Sequence, residues 1–234
     1  MTFGYNGKIL RVNLSNNKIR IEKQDENFYR RYMGGWGFIA YYLLKEVKPG
    51  TDPLSPENKL IFAPGVITGA PIAGSGRNAI GAKSLLTGAF GASEGGGFVG
   101  AELKHAGFDC VIIEGKSESP VYLWIHDGEV EIRDARHLWG MHIAESQQTI
   151  RKELGDNLIR TAQIGPGGEN LVRYACVIND LKHTAGRTGM GAVMGSKRLK
   201  AIAVRGHSKT KVANTEKTRE IAKEMVNRAA AKPK

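Results

Sequence analysis

Cysteine is scarce. Only Cys110 and Cys176 occur among 234 residues, 66 positions apart. That spacing excludes a zinc knuckle or a complete four-thiolate iron–sulfur site built by this chain. Both stand in apolar runs, FDCVII and YACVI, and read as buried, reduced thiols. Long apolar runs are missing too: none approaches the ~18 residues of a membrane span. The N-terminus has no charged-then-apolar signal segment, so the chain reads as soluble and cytoplasmic. Aromatics are 7% of the chain and seldom alternate with basic residues, and no RNP or helix-turn-helix pattern occurs. Both absences speak against nucleic acid as a partner. The six histidines form no HxxxH or HExxH pair, and no carboxylate pair or Ser/His/Asp set stands out. Gly74-Ser75-Gly76 is followed by Gly81 and lacks GxGxxG spacing, and Gly195-Ser196-Lys197 reverses the order of a P-loop.

Two things are abundant. Glycine numbers 30, nearly twice the usual ~7% share, and base exceeds acid by a net +11. Residues 206–234 hold eight Lys/Arg against three Glu, so five of those eleven charges lie in the tail. Excess base fits an anionic partner such as a phosphorylated cofactor or nucleic acid, or a solvated basic surface. With 41% hydrophobic residues the chain is an ordinary globular mix that needs no staple to fold.

Patterning gives the elements. Residues 8–23 alternate on either side of SNNK and predict a β-hairpin. The run from Phe28 to Val47 is broken by Gly34, Gly35 and Gly37, and residues 37–47 after the break predict a helix. Residues 59–65 predict a buried strand, and 65–97 turns around short strands. A helix is expected over 98–107, ending at Gly107, and a strand over 109–115. Asp127-Gly128 marks a hairpin within 121–134. A helix is expected over 141–154, strands over 157–165, 173–178 and 199–206, and a charged helix over 215–230. Strands and helices do not alternate regularly, which favours an α+β class over a doubly wound sheet.

A short pattern, GRxxxGA, occurs at Gly76–Ala82 and again at Gly186–Ala192. It suggests an internal duplication, with halves of about 1–115 and 116–206, or a chance match in a glycine-rich chain. Glycine lets backbone approach a ligand closely, and a neighbouring arginine offers a planar fork to phosphate. Together the two copies predict a pair of phosphate-binding sites related by a pseudo-twofold; each alone reads as a tight turn with a surface arginine.

The segments DPLSPENKLIFAPGVITG, SGRNAIGAKSLLTG, GGGFVGAELKHAGFDCVIIEGKSESPVYLWI and IGPGGENLVRYACVINDLKHTAGRTGMGAVMGSKRLKAIAV resemble the N-terminal domain of tungsten-containing aldehyde ferredoxin oxidoreductases. The resemblance runs from GKILRVNL to about residue 206. It implies two β-rich halves related by a pseudo-twofold, forming a base for a bis-tungstopterin cofactor with a magnesium ion between its phosphates. Carried over by position, Arg77 and Gly96 would contact one pterin, and Gly186 and Arg187 the other. Glu94 and Thr184 would offer backbone carbonyls to the magnesium. His183 would lie on the pterin, where archaeal relatives have an arginine; Glu94 replaces a common Asn and Thr184 an Ala.

The family is also expected to carry a [4Fe–4S] cluster, a substrate channel and acid/base residues in later domains, absent from this sequence. Residues 1–206 are then read as the tungstopterin-binding domain, and 207–234 as a linker and the first helix of a missing second domain. The intact enzyme would oxidise aldehydes to carboxylates and pass electrons through the cluster to ferredoxin; this chain alone is expected to be inactive. Missing C-terminal domains or a partner subunit, self-association into a homo-oligomer, and no membrane span are expected. The alternatives are a non-catalytic cofactor- or anion-binding assembly module, a split subunit, or a fragment of a benzoyl-CoA reductase tungsten subunit.

Overall fold

A computed structural model describes residues 3–231. The chain order is β1 (Ile9–Asn13), β2 (Lys18–Glu22), α1 (Glu26–Tyr32), α2 (Trp36–Glu46), β3 (Leu60–Pro64), β4 (Asn78–Lys83), β5 (Phe90–Gly95), α3 (Val99–His105) and β6 (Cys110–Glu114). It continues with β7 (Val121–His126), β8 (Glu129–Asp134), a 3-10 turn (Arg136–Leu138), α4 (Ile143–Leu154), β9 (Arg160–Gln163), α5 (Pro166–Glu169), β10 (Val177–Asn179), β11 (His183–Ala185), α6 (Met190–Ser196), β12 (Leu199–Arg205) and α7 (Thr215–Ala230).

These elements form an α+β fold with two six-stranded sheets, ordered β2-β1-β6-β3-β4-β5 and β8-β7-β12-β9-β10-β11. The two orders are the same when each sheet is counted from its own first strand. The senses match as well. β1 pairs parallel with β6, as β7 does with β12, and all other pairings are antiparallel. Helices follow the second strand in both sheets, and one seven-residue helix, α3 or α6, precedes the sixth.

Side chains alternate across a strand, so each strand feeds two layers. Leu10, Val12, Leu60, Phe62, Val111 and Ile113 of the first sheet join Leu123, Ile125, Ala162, Ile202 and Val204 of the second in a central core. α3 and α6 lie within this layer, through Val99, Leu103, Met190, Val193 and Met194. The intervening residues of the first sheet, Ile9, Ile61, Cys110 and Ile112, turn outward under α1 and α2. Those of the second, Tyr122, Ala201 and Ala203, turn outward under Ile150 of α4.

Local chemistry sets the helix ends. Asp25 accepts from the Phe28 amide at the start of α1, and Asn214 from the Lys217 amide at the start of α7. α4 ends on Gly155 in the left-handed conformation. α7 buries no residue, so Ile221, Met225 and Val226 form an uncovered apolar stripe. Among the described residues no helix is long and apolar enough to cross a membrane.

Besides the 3-10 turn, four elements went unpredicted: α1, α5, β11 and α6. α6 reads MGAVMGS, with two glycines that lower helix propensity. Packing requires them. A Cβ on Gly191 would stand 2.6 Å from the Cys176 carbonyl oxygen, and one on Gly195 only 2.0 Å from that of Gly168.

The GRxxxGA copies do not occupy equivalent places in the two sheets. Gly76-Arg77 precedes β4, whereas Gly186-Arg187 follows β11 and its Gly-Ala lies within α6. The equivalence lies elsewhere, in the match of Val99-Gly100-Ala101 opening α3 with Met190-Gly191-Ala192 opening α6.

Candidate functional site

The free edges of the two sheets, β5 and β11, meet side by side, and glycine makes the approach possible. A Cβ on Gly95 would stand 2.6 Å from Asn179 Nδ2, and one on Gly97 2.7 Å from Asp180 Oδ2. Buried Asn179 donates to Asn78 Oδ1 at 2.9 Å and to the Gly96 carbonyl at 3.0 Å. The Phe98 amide donates to Asp180 Oδ2 at 2.7 Å, and the Arg187 amide to Ser93 Oγ at 3.1 Å. Ser84 Oγ donates to the Thr188 carbonyl at 2.9 Å. These bonds join the halves beneath a cavity.

That cavity has a volume of about 690 Å³. Arg77, Glu94, Thr184, Gly186 and Arg187 all line it, with Trp36, Ala92, Ser93 and Thr188. The two arginines thus converge on one space from different sheets, where the sequence pattern suggests two symmetric sites. Arg77 is largely exposed, and its guanidinium lies 3.6 Å from the Glu94 carboxylate, a loose surface pair. Two guanidinium groups against one carboxylate leave the cavity wall with an excess of positive charge. Gly96 and His183 are not among the lining residues. They pack on each other beside it: a Cβ on Gly96 would stand 3.2 Å from His183 Nδ1.

Sequence reasoning missed Trp36, Ser93, Thr188 and Asn179. Two of them carry a sequence signal: the glycine break around Trp36, and the GRxxxGA copy at Gly186–Ala192 that contains Thr188. Asn179 gave none, since its importance comes from burial between two sheets distant in sequence. Its Oδ1 and the Oδ1 of Asp180 are buried without a hydrogen-bond partner. Among the described residues no group of three His, Cys, Asp or Glu side chains converges to hold a metal ion. Cys110 is fully buried, and burial pushes its thiol well above the ordinary range.

Residues 9–206 match the family model "Aldehyde ferredoxin oxidoreductase, N-terminal domain". The tungsten-containing aldehyde ferredoxin oxidoreductase of Pyrococcus abyssi is 50% identical over 99% of this chain, which covers 38% of that protein. The aliphatic sulfonate oxidoreductase WOR-like subunit of Pyrococcus furiosus is 39% identical over 87% of this chain and 35% of its own length. Among solved structures, the active-site complex BamBC of benzoyl coenzyme A reductase, in complex with 1,5-dienoyl-CoA, contains a chain that superposes with a TM-score of 0.93 at 40% identity. That match covers 97% of this chain and 35% of the other. The chain therefore spans well under half the length of the relatives it matches. With a family match across most of its length, and with fold and site geometry in place, this chain belongs to the aldehyde ferredoxin oxidoreductase family through that family's N-terminal domain.

Proposed function

We propose that this chain is the tungstopterin-binding portion of an oxidoreductase that converts aldehydes to carboxylates and passes electrons through an iron–sulfur cluster to ferredoxin. The observation that supports it most directly is the convergence of Arg77 and Arg187 on one cavity between the sheets. The residues fit a phosphorylated organic cofactor. The volume lies within the range typical of ligand sites, ~300–1,000 Å³, and guanidinium forks match phosphate oxygens bidentately. In this reading Arg77 and Arg187 hold phosphates, while Gly96 and Gly186 let the backbone come close. His183, packed against Gly96 beside the cavity, would lie next to the pterin, and Glu94 and Thr184 would offer backbone carbonyls to a magnesium ion. A bound tungstopterin would supply the redox centre; the protein's contribution is binding, orientation and charge.

The relatives' names point the same way about substrate. An aldehyde, an aliphatic sulfonate and a coenzyme A thioester ring system appear across proteins sharing this domain. Substrate choice is therefore assigned to the regions those relatives carry beyond it, in further domains or a partner chain. Two cysteines cannot furnish a four-thiolate cluster, so the chain by itself is expected to be inactive. A second reading, the corresponding part of a benzoyl-CoA reductase tungsten subunit, draws on the 0.93 superposition.

The test is co-expression with the remaining portion of the enzyme in tungstate-supplemented anaerobic cells, followed by metal analysis and pterin fluorescence of the released cofactor. Stoichiometric tungsten and pterin are expected, falling at least tenfold in Arg77→Ala/Arg187→Ala. Folded protein free of both would sink the proposal. Turnover of aldehydes against benzoyl-CoA then separates the two readings.

A further inference from the structure

The glycine break in YMGGWGFIA is absorbed neither by the fold nor by the phosphate reading. Gly34 and Gly35 have φ of 96° and 52°, in the left-handed region that favours glycine. Gly34 bridges to Gly65, and the Gly35 amide donates to the Pro64 carbonyl at 3.0 Å, pinning the turn to the end of β3. A Cβ on Gly34 would stand 2.5 Å from the Pro64 oxygen, and one on Gly37 2.0 Å from the Tyr32 oxygen. Backbone meets backbone on both sides, so the position of the residue between is fixed. That residue is Trp36.

The rest of α2 explains itself. Phe38, Ile39, Tyr42 and Leu43 are buried against the first sheet. Trp36 does something else: it opens the helix, remains 50% exposed, and lines the cavity that holds Arg77 and Arg187. Its ring lies 6.0 Å from that of Phe90, centroid to centroid, and Phe90 is itself 43% exposed at the start of β5. A large aromatic held by a rigid turn, half in solvent, on the same cavity wall as two guanidinium groups, offers an apolar face to that cavity. Planar heterocycles stack on such faces, and their phosphates go to arginine.

The geometry points to Trp36 as the stacking wall for the planar heterocycle of a phosphorylated ligand, with Arg77 and Arg187 taking its phosphates. This rests on the anion-site reading given above and adds the ring to it. The ligand class is a fused, flat, hydrogen-bonding bicycle carrying at least one phosphate. Inorganic phosphate would use only half the site.

Binding measured on the full chain tests this without any enzyme activity. The probes are 6-hydroxymethylpterin diphosphate and inorganic pyrophosphate, which share the anion and differ in the ring. Trp36 is one of three tryptophans. In a Trp124→Phe/Trp139→Phe background its emission reports directly, and the pterin is expected to quench it while pyrophosphate is not. Trp36→Ala should weaken the pterin about tenfold, the scale of one lost stacking contact, and leave pyrophosphate within twofold. Trp36→Phe should recover most of the pterin affinity. Arg77→Ala and Arg187→Ala should weaken both probes. If pyrophosphate binds through the arginines but Trp36→Ala leaves the pterin unchanged, or weakens both probes alike, the stacking assignment is wrong and the anion site stands. If neither probe binds a protein with wild-type circular dichroism, both fall together.

Discussion

The two sheets share one connection order, yet they are stabilised by different means. Aligned through α3 and α6, Ala106 after the first helix stands opposite Lys197 after the second, each the C-cap of its helix. Asp109 and Lys200, each four residues beyond its helix, are opposite in charge. The outer layer of the first half is aromatic, with Phe28, Tyr29 and Phe38 packed edge to face and stacked, and Tyr42 tilted against Phe28. That of the second is mainly aliphatic, with Leu138, Ile150, Ile159, Ala201 and Ala203 around a single fully buried aromatic, Tyr122. The same topology therefore tolerates very different interiors.

The buried charges give the sharpest way to break this comparison. In the first half Lys104 donates to Asp109 at 2.7 Å, with both side chains 2% exposed. In the second Lys200 pairs with Glu169, at 0% and 3% exposure. Each has further bonds: the Lys104 ammonium to the Gly4 carbonyl, and the Gly140 amide to Glu169. Asp109→Asn and Lys200→Met each leave one charge buried alone, and each is expected to cost about 3–5 kcal/mol. Urea unfolding followed by circular dichroism checks this. The double variant Lys200→Met/Glu169→Leu should recover most of the second loss, because no orphaned charge remains. Losses under ~1 kcal/mol in both single variants would mean that neither pair is as desolvated as it stands here.

The helix glycines come next. Gly100 in α3 and Gly191 in α6 hold the same position in their motifs. A Cβ at Gly100 meets side-chain atoms, Asn78 Cβ at 2.9 Å and Thr68 Cγ2 at 3.1 Å. A Cβ at Gly191 meets backbone, with the Cys176 and Ala175 oxygens at 2.6 and 2.7 Å. Asn78 Cβ is fixed to its backbone but stands at the longer distance, and the Thr68 methyl can turn; at Gly191 both contacts are shorter and both are carbonyl oxygens. Gly191→Ala should therefore cost about 3 kcal/mol and Gly100→Ala about 1 kcal/mol. Equal costs would show that the segment beneath α6 yields as easily as a rotamer.

These contrasts explain how far the sequence could be read. Alternation and turn residues located β1, β2, β7 and β8 because the forces that make a hairpin are local. α6 and β11 stayed hidden because their determinants are distant: a carbonyl of Gly168 or Cys176 selects glycine where helix propensity would reject it. GRxxxGA suggests the duplication but falls on non-equivalent positions, while the correspondence of α3 with α6 retains only a Gly-Ala pair. Much of the glycine excess serves such backbone contacts, at Gly37, Gly191, Gly195 and Gly206, as well as the cavity. In the candidate site, Arg77 and Arg187 announce themselves beside glycine. Nothing local announces that they face one cavity, because the meeting of β5 with β11 is a tertiary event.

Lys197 sharpens the comparison through pH. Fully buried, it donates from second half to first, to the carbonyls of Asn58 at 2.6 Å and Gly115 at 3.0 Å. Burial, and then the neighbouring Lys59, push its amine down to about 7 from an ordinary 10.5. The folded state thus releases this proton before the unfolded state does. Below about pH 7 both states are protonated and the folded one bears the full cost of a buried charge. As pH rises from there toward 10.5 the unfolded chain binds more protons, so stability gains up to about 1.4 kcal/mol per pH unit from this group. The difference in unfolding free energy between wild type and Lys197→Met, measured from pH 6 to 10, should carry that slope. Ala106→Ser at the equivalent position of the first half should add no slope. A flat difference curve would mean that Lys197 stays charged in the folded protein.

The smallest stability effect belongs to the site itself, and its smallness is the point. Arg77 and Glu94 lie 3.6 Å apart with side chains 69% and 43% exposed, where solvent screening leaves a surface pair ~0.5 kcal/mol or less. Arg187 likewise lies in an exposed loop and its guanidinium has no ion-pair partner within 4.0 Å among the described residues. Arg77→Ala and Arg187→Ala should leave the urea midpoint within error of wild type, unlike changes at Asp109, Lys200 or Gly191. The same variants should lose phosphate affinity, and Glu94→Gln should gain it, because the carboxylate competes for Arg77. Each effect should shrink as salt is raised, since exposed charges are screened. Residues that cost nothing to remove from the fold yet govern anion binding would separate the cavity from the scaffold that holds it. A large stability loss in either arginine variant would instead make these side chains struts between the two sheets.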